Sequence, residues 1–508
     1  MKKILRFLTQ RVVLTALLIL IQALLLFGII WKLNNYFIYF YAFSVLLSLL
    51  LTLRIINNKS NPAFKIAWLI PILLFPVLGG LVYLVFGSDR TGKYIRNKMG
   101  RIEKEMQDGI SKANERSGIE KMPPDVVNQS HYISNSAHCP PYKNTTVEYL
   151  PMGEVKFERM VQELKKAKRY IFMEYFIIQE GTMWNTILDV LEEKAKEGVD
   201  VRVIYDDMGC ILTLPTGYEK TLREKGIQCQ IFNPFIPILS SHFNTRDHRK
   251  ICVIDGNVGF TGGINLADEY INGYEKHGHW KDTAILLKGE AVFSLTTMFL
   301  SMWDYLIKKE GEDYAAYYPD SWDENAQGIV QPFADNPLDD EAVGETVYLN
   351  LINKAKRYVY ITTPYLILSN EMVTAMNTAA KSGVDVCIIT PHVPDKWYVH
   401  AVSRSYYEML VEAGVKIYEY TPGFVHAKTF VVDDEYAVVG TINLDYRSLY
   451  LHFECAAWMY KASCVTDVRD DFLKTQQMSQ EITLEKCRNI SIPRRLGRSV
   501  LRVLAPLM

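Results

Sequence analysis

Two short segments combine an imidazole, an ammonium and a carboxylate at identical spacing. The first runs His248-Arg249-Lys250-Ile251-Cys252-Val253-Ile254-Asp255 and the second His426-Ala427-Lys428-Thr429-Phe430-Val431-Val432-Asp433, each of the form H-x-K-x-x-x-x-D. A glycine turn ending in asparagine follows both at the same distance: Gly262-Gly263-Ile264-Asn265 and Gly440-Thr441-Ile442-Asn443. Side chains two apart on a strand project from one face, so the His and Lys of each copy sit side by side. An imidazole beside a fixed positive charge suits attack on a phosphodiester, whose anionic phosphorus otherwise repels a nucleophile. One such pattern arises by chance in about one chain in twenty of this length. Two copies with the same sequel are not an accident.

The duplication is wider than the motifs. Lys166-Ala167-Lys168-Arg169-Tyr170 recurs 188 residues later as Lys354-Ala355-Lys356-Arg357-Tyr358. Gly198-Val199-Asp200-Val201 recurs 185 later as Gly383-Val384-Asp385-Val386, and Gly226-Ile227 recurs 188 later as Gly414-Val415. The motifs themselves are 178 apart, so the first copy holds about ten extra residues before its motif, in the stretch 232–242. A repeat this long is a whole domain rather than a solenoid unit. Helical patterns such as 184–196 alternate with short β-branched strands, which predicts an α/β fold with mixed or parallel sheets covered by helices. Two halves about a pseudo-twofold axis would bring both His-Lys pairs into one cleft. The expected divisions are a membrane region 1–90, a basic juxtamembrane linker 91–145, repeats at 146–325 and 326–485, and a basic amphipathic tail 486–508.

These motifs resemble those of the phospholipase D superfamily, which includes nucleases and phosphatidyl-transferring synthases. Within it the chain is most similar to the bacterial cardiolipin synthases. The resemblance rests on Glu174-Tyr175-Phe176, Asp247-His248-Arg249-Lys250, Trp280-Lys281-Asp282, Thr363-Pro364-Tyr365 and Asn443-Leu444-Asp445-Tyr446-Arg447-Ser448, with the apolar N-terminus and the ending Leu504-Ala505-Pro506-Leu507-Met508. It implies two phospholipase D-like α-β-α sandwich repeats related by a pseudo-twofold, preceded by N-terminal transmembrane helices.

The resemblance also implies a two-step transfer without metal or other cofactor. One histidine attacks phosphorus to give a phosphohistidine; the other protonates the leaving oxygen and later deprotonates the incoming alcohol. By resemblance His248 is the nucleophile and His426 the general acid/base, an order that symmetry alone does not set. Lys250 and Lys428 would meet the phosphoryl oxygens, with Asn265 and Asn443 as neutral donors. Asp255 and Asp433 complete the catalytic motifs, although their place at strand-closing turns points to local hydrogen bonds that stabilise the fold. Asp282 and Glu454 begin equivalent strands 34 and 28 residues after the histidine of their own copy, and are the candidates for orienting the imidazoles. Tyr175 and Tyr365, read as matching places in the two copies, are expected to line the cleft. The implied reaction joins two phosphatidylglycerols into cardiolipin and glycerol.

Hydropathy predicts a membrane protein. Residues 12–31 and 36–53 are uncharged runs of 20 and 18 residues, each long enough to cross about 30 Å of hydrocarbon. A cleavable signal peptide is the rival reading of the first run, and the second run follows too closely to favour it. A third apolar stretch, 66–86, is broken by Pro71, Pro76, Gly79 and Gly80, and could span, re-enter or form a hairpin. Lys and Arg before the first run, after the second and after the third place those regions and the catalytic repeats in the cytoplasm of a multi-pass plasma-membrane protein. The tail carries Arg494, Arg495, Arg498 and Arg502 among apolar residues, as suits an anionic membrane surface, or an ordinary helix packed on the body.

Other classes fare worse. A net charge of −1 over 508 residues does not provide the basic track of a nuclease, so no nucleic-acid partner is expected. A phospholipase D-type hydrolase shares the motifs, and a non-catalytic membrane scaffold would commonly have lost one of the four His and Lys. The eight cysteines show no C-x-x-C and no disulfide rhythm. Asp206-Asp207 and His277-Gly278-His279 look metal-like, but read better as loop and turn residues. Oligomeric state is not set by the sequence.

Overall fold

The computed structural model of the chain describes residues 37–87, 93–113, 119–235, 244–309, 312–339 and 341–507, with scattered positions between 17 and 32. The first half supplies β1 (Thr145–Leu150), β2 (Tyr170–Tyr175), β3 (Asp200–Asp206), β4 (Gln228–Phe232), β5 (Arg246–Asp247), β6 (Lys250–Ile254), β7 (Val258–Gly262), β8 (His279–Lys281) and β9 (Ala284–Gly289). The second supplies β10 (Ile329–Asp335), β11 (Tyr358–Thr362), β12 (Asp385–Pro391), β13 (Lys416–Tyr420), β14 (Gly423–Val425), β15 (Thr429–Val432), β16 (Tyr436–Gly440), β17 (His452–Tyr460) and β18 (Ser479–Glu481). Ahead of them lie helices α1 (Phe37–Asn57), α2 (Pro62–Leu74) and α3 (Pro76–Val82); α4 (Val292–Ile307) joins the halves, and α5 (Trp397–Glu412) and α6 (Ile492–Leu504) flank the second.

Sheet one has the order β1-β9-β7-β6-β2-β3-β4, and sheet two β10-β17-β16-β15-β11-β12-β13-β18. The first seven positions match one for one, so the sequence repeat is a repeat of topology. In both, a parallel trio (β2-β3-β4 or β11-β12-β13) joins an antiparallel set through the motif strand β6 or β15. The central strands are apolar on both faces, as a sheet covered on both sides requires. Helix α4 is apolar almost all round and buried along Val292–Asp304. It packs against strands of both sheets, and the largest core cluster contains residues of both halves.

Two short strands leave their own sheets. β5, immediately before His248, pairs in parallel with β17 of the other half, Arg246 opposite His452 and Asp247 opposite Phe453. β8, which leads into Asp282, pairs in parallel with β14, the strand immediately before His426. Backbone bonds continue both contacts to the histidines: His248 N–H donates to Phe453 O at 2.9 Å and His426 N–H to Lys281 O at 2.7 Å. Each motif is therefore docked on the other half of the molecule.

The N-terminal region departs from the expectation. Among the described residues no helix is long and apolar enough to cross a membrane. Half of the expected span 12–31 falls outside the described residues. The third apolar stretch is split at Phe75-Pro76 into α2 and α3, of 13 and 7 residues, and at ~1.5 Å per residue neither reaches across a bilayer. These pieces fold back on α1 around Leu51, Ile55, Ile72 and Tyr83. The hairpin docks on the second repeat, where Asn61 Nδ2 donates to the Tyr450 hydroxyl at 2.8 Å and Phe64 meets the Tyr446 ring edge-on. Helix α6 inverts the usual packing of an amphipathic helix. Its arginine side lies on α5, with Arg502 over the Tyr406 ring at 4.3 Å and Arg495 near Glu408 at 3.4 Å. Its apolar stripe of Ile492, Leu496, Val500 and Val503 faces outward, 82%, 66%, 54% and 40% exposed.

The motif aspartates lie at the far ends of their strands and cannot belong to the reacting set. Asp255 accepts from the backbone N–H groups of Lys168, Arg169 and Tyr170 at 2.7–3.0 Å; Asp433 does the same for Lys356, Arg357 and Tyr358 at 2.7–2.9 Å. Each lies five residue steps along the strand from its lysine, about 16 Å of extended chain. Counting them as catalytic is thereby corrected. Each carboxylate caps the turn that launches the neighbouring strand β2 or β11. Asp255→Ala or Asp433→Ala should each cost about 1–3 kcal/mol by leaving backbone donors unmet, read as a lowered midpoint in thermal or denaturant unfolding. The folded fraction should turn over normally; a large loss of turnover in fully folded protein would return these residues to the chemistry.

Candidate active site

His248 and Arg249 lie in the link between β5 and β6, and His426 to Lys428 in the link between β14 and β15, so the crossed pairings of β5 and β14 bring the two His-Lys pairs together. Both imidazoles are only 7% exposed, and Lys250 and Lys428 are 0% and 1% exposed. The charges act across the halves: Lys428 and His426 oppose a charge on His248, and Lys250 opposes one on His426. All four side chains thus share one cleft.

The orienting carboxylates come from the opposite repeat. His248 Nδ1 lies 2.9 Å from both carboxylate oxygens of Glu454, and His426 Nδ1 lies 2.7 Å from Asp282 Oδ2. This corrects the expected pairing of each carboxylate with the histidine of its own copy. Local spacing gave no hint of the exchange, because it is made by β5 on β17 and β8 on β14. The consequence is chemical. With Nδ1 engaged in both rings, Nε2 is the nitrogen left for the cleft, and the carboxylate fixes tautomer and ring plane. The glycine turns make room for this: a Cβ on Gly263 would sit 2.1 Å from Asp282 Oδ1. At the matching place Thr441 donates its hydroxyl to Glu454.

Burial governs the protonation states. It pushes His248 well below its ordinary value, with Lys250 adding to the effect. His426 falls to about 4, again through burial first and Lys428 second. Both rings are neutral at neutral pH, the state a nucleophile or base needs. Burial pushes Glu454 up, against the pull of Lys250, so Glu454 and His248 Nδ1 hold a proton between them. Desolvation lowers Lys250 to about 8 and Lys428 to about 7. Each ammonium donates to the carbonyl of its own motif histidine, which aims it along the motif strand.

The asparagines brace loops. Asn265 donates to the Tyr270 hydroxyl at 2.7 Å and accepts from Ile177 N–H at 3.0 Å; Asn443 donates to Ser448 Oγ at 3.0 Å. Tyr175 and Tyr365 do not correspond. The equivalent bridges Ile178–Leu266 and Leu366–Leu444 are 188 residues apart along the leading strand, which matches Tyr365 to Ile177. Tyr175 is sealed in the core, with Lys156 donating to its hydroxyl at 3.2 Å, and is no cleft residue. Tyr365 is partly buried and donates to Asp395 at 2.6 Å. Of the metal-like pairs, Asp206 caps the backbone N–H groups of Met208 and Gly209 at 2.9 Å and accepts from Asp247 N–H at 3.1 Å. His279 bonds the Tyr420 hydroxyl at 2.9 Å.

Sequence reading passed over several side chains in contact with the histidines. Phe176 meets His248 edge-on at 5.1 Å, and His452 lies 5.8 Å from it. Trp280, Phe424 and Tyr270 surround His426 at 5.6–5.8 Å. Each neighbours a recognised motif residue in the chain, so a wider internal alignment would have exposed them. His248, His452 and Glu454 form a grouping with metal-ligand spacing. Lys250, Arg447 and Arg246 all oppose a positive charge there, and the site suits an anion.

The crossed geometry sets which histidine each carboxylate serves. With His248 as nucleophile, Glu454→Gln should slow formation of the phosphohistidine by about 100-fold or more, while Asp282→Asn, acting through the acid/base His426, should slow both its formation and its breakdown; rapid-quench trapping of labelled enzyme reads both steps, and the exchanged pattern between the two variants would refute the crossing. The lysines should set the alkaline limb of kcat/KM. Their folded pKa values are depressed, so charge is lost as pH rises through about 7 to 8, and Lys428→Arg should move that limb from about 7 up to about 8, where Lys250 still titrates, in the residual activity.

Comparison with known proteins agrees with the geometry. The family model described as "Cardiolipin synthase, PLD-like domain" matches residues 160–303 and 348–476, and "Phospholipase_D-nuclease N-terminal" matches 46–88. A cardiolipin synthase of Geobacillus thermodenitrificans is 37% identical over 92% of this chain and 94% of its own, and one of Alkalihalophilus pseudofirmus is 35% identical over 89% and 90%. An uncharacterized protein of Streptococcus mutans is 47% identical over 90% of this chain and 99% of its own. The crystal structure of phosphatidylserine synthase from Haemophilus influenzae superposes with a TM-score of 0.58 at 14% identity, covering 75% of this chain and all of that one, and so shares the fold. Matched along both repeats and along nearly the full length of its relatives, the chain belongs to the phospholipase D-like cardiolipin synthase family.

Proposed function

We infer that the protein is a cardiolipin synthase, a phosphatidyltransferase that joins two phosphatidylglycerols and releases glycerol. The observation that carries this is the cleft itself: two neutral imidazoles, each held by a carboxylate of the opposite repeat, beside two buried lysines. His248 Nε2 attacks the phosphorus of one phosphatidylglycerol. The P–O bond to the glycerol headgroup breaks and His426, which takes up a proton when the anionic diester enters the cleft, gives that proton to the leaving oxygen, while Glu454 stabilises the charged ring. Lys250 and Lys428 neutralise the phosphoryl oxygens, and a phosphodiester entering between them restores the protons their burial disfavours. A hydroxyl of the second phosphatidylglycerol then attacks phosphorus, His426 takes its proton, and the P–N bond breaks.

One diester replaces another, so the exchange is close to balanced in free energy, and the outcome depends on keeping water from the intermediate. We propose that the protein works as a multi-pass membrane enzyme with its catalytic repeats on the cytoplasmic side, anchored through its N-terminal apolar region. Leu46, Leu49, Leu50 and Leu53 of α1 are 53–58% exposed, a face that water would not favour. The outward apolar stripe of α6, next to the arginines around it, suits the boundary between headgroups and acyl chains.

Purified protein in phosphatidylglycerol vesicles with EDTA should produce cardiolipin and glycerol, identified by mass spectrometry, and His248→Ala should produce neither. Phosphatidic acid as the main product would make the enzyme a hydrolase. Loss of turnover on chelation would contradict the metal-free route.

A further inference from the structure

The two sides of the cleft are not equivalent in charge. At three matching points around the histidines the first side carries Arg246, Arg447 and His452, and the second carries Phe424, Glu269 and Trp280. The correspondence follows from the repeat: Arg246 and Phe424 each stand two residues before a motif histidine, and Arg447 and Glu269 four after a loop asparagine. His452 and Trp280 each stand two before an orienting carboxylate. The His426 side is aromatic and acidic. The His248 side is cationic.

His452 lies 5.8 Å from the His248 ring and opposite Arg246 in the β5–β17 register. Both of its ring nitrogens are buried without a hydrogen-bond partner, which is unfavourable for polar atoms shut away from water. Glu454 Oε1 lies 3.8 Å from its Nδ1, Arg447 exerts the largest effect of any charge on it, and burial holds both His452 and Arg447 below their ordinary values. The acidic neighbour of Arg447 is Asp445, whose carboxylate is already bonded to the Ser448 amide at 2.9 Å. Such a cluster is incomplete without an anion. A cavity of about 1140 Å3 has His452 in its lining, together with Tyr450 of the second repeat and Arg54, Lys65 and Trp68 of the N-terminal hairpin. Cationic and aromatic groups, with Asp335, Asp339 and Glu341 on one side, thus line a space running from the apolar helices to His452, the neighbour of the reacting histidine.

We propose that Arg447 and His452, backed by Arg246, form a second phosphate subsite that holds the unreacting phosphodiester of the acceptor lipid, which enters through this cavity. The proposal rests on the transferase reading. An acceptor phosphatidylglycerol carries its phosphodiester three carbons from the attacking hydroxyl, so that group must lie a few ångströms beyond the phosphohistidine, where His452 stands. Holding it there aims the hydroxyl at phosphorus and selects a phospholipid alcohol over water or free glycerol.

Two products formed in the same vesicles separate acceptor binding from the chemistry. Cardiolipin formation uses the anionic acceptor; exchange of labelled free glycerol into phosphatidylglycerol uses an uncharged one. Arg447→Gln should lower the ratio of cardiolipin to exchanged glycerol about tenfold or more, Arg447→Lys should recover part of it, and His452→Trp, which copies the first repeat, should lower it independently. An unchanged ratio, or loss of both products in equal measure in both variants, overturns the subsite. Absence of cardiolipin from wild type would instead overturn the transferase reading, and the subsite with it.

Discussion

The structure depends on one contact made twice: an imidazole nitrogen held against a carboxylate from the other repeat. Neither half is chemically complete alone. Each supplies a histidine and a lysine for the cleft and a carboxylate for its partner, so the pseudo-twofold axis is a condition of activity. The parallel pairings of β5 with β17 and β8 with β14 make this possible. They fix the backbone on both sides of each contact to within a hydrogen bond, and the rigid support lets a nearly buried ring keep one nitrogen for the substrate.

The burial that orients the site also charges it unfavourably. Lys250, Lys428, Arg447 and the two motif histidines are all held below their ordinary proton affinities by desolvation. An empty cleft is therefore strained electrostatically, and an anionic diester relieves the strain when it binds. This inverts the usual objection to buried charge: the groups are unfavourable in the free enzyme and complementary to the reacting phosphate. The same argument disfavours a metal ion beside His248, His452 and Glu454, where two arginines and a lysine already act.

The terminal apolar helices and the candidate site meet in the second repeat. The α1–α2 hairpin docks on Tyr446 and Tyr450, two residues within the loop and helix that follow Asn443, and α6 packs near α2. Apolar surface from both ends of the chain is thus gathered close to the His248 side of the cleft.

Much of this was legible in the chain itself. The internal repeat declared two α/β halves because helix and strand periods are local, whereas the expected strand face for His and Lys is replaced by links that precede β6 and β15, held by pairing with the other half. The turn role of Asp255 and Asp433 followed from their place at strand ends. Which carboxylate serves which histidine did not, because Glu454 and Asp282 are separated from their partners by 206 and 144 residues and meet them only where strands exchange between sheets. Nor did the matching of Tyr175 with Tyr365, a two-residue slip that only the β-bridges correct, or the cationic face formed by Arg447 and His452. Residue types and their spacing determined what chemistry the protein carries out; the packing of one half on the other decided which groups touch, since contacts between distant segments are set by register and burial and leave no trace in local sequence.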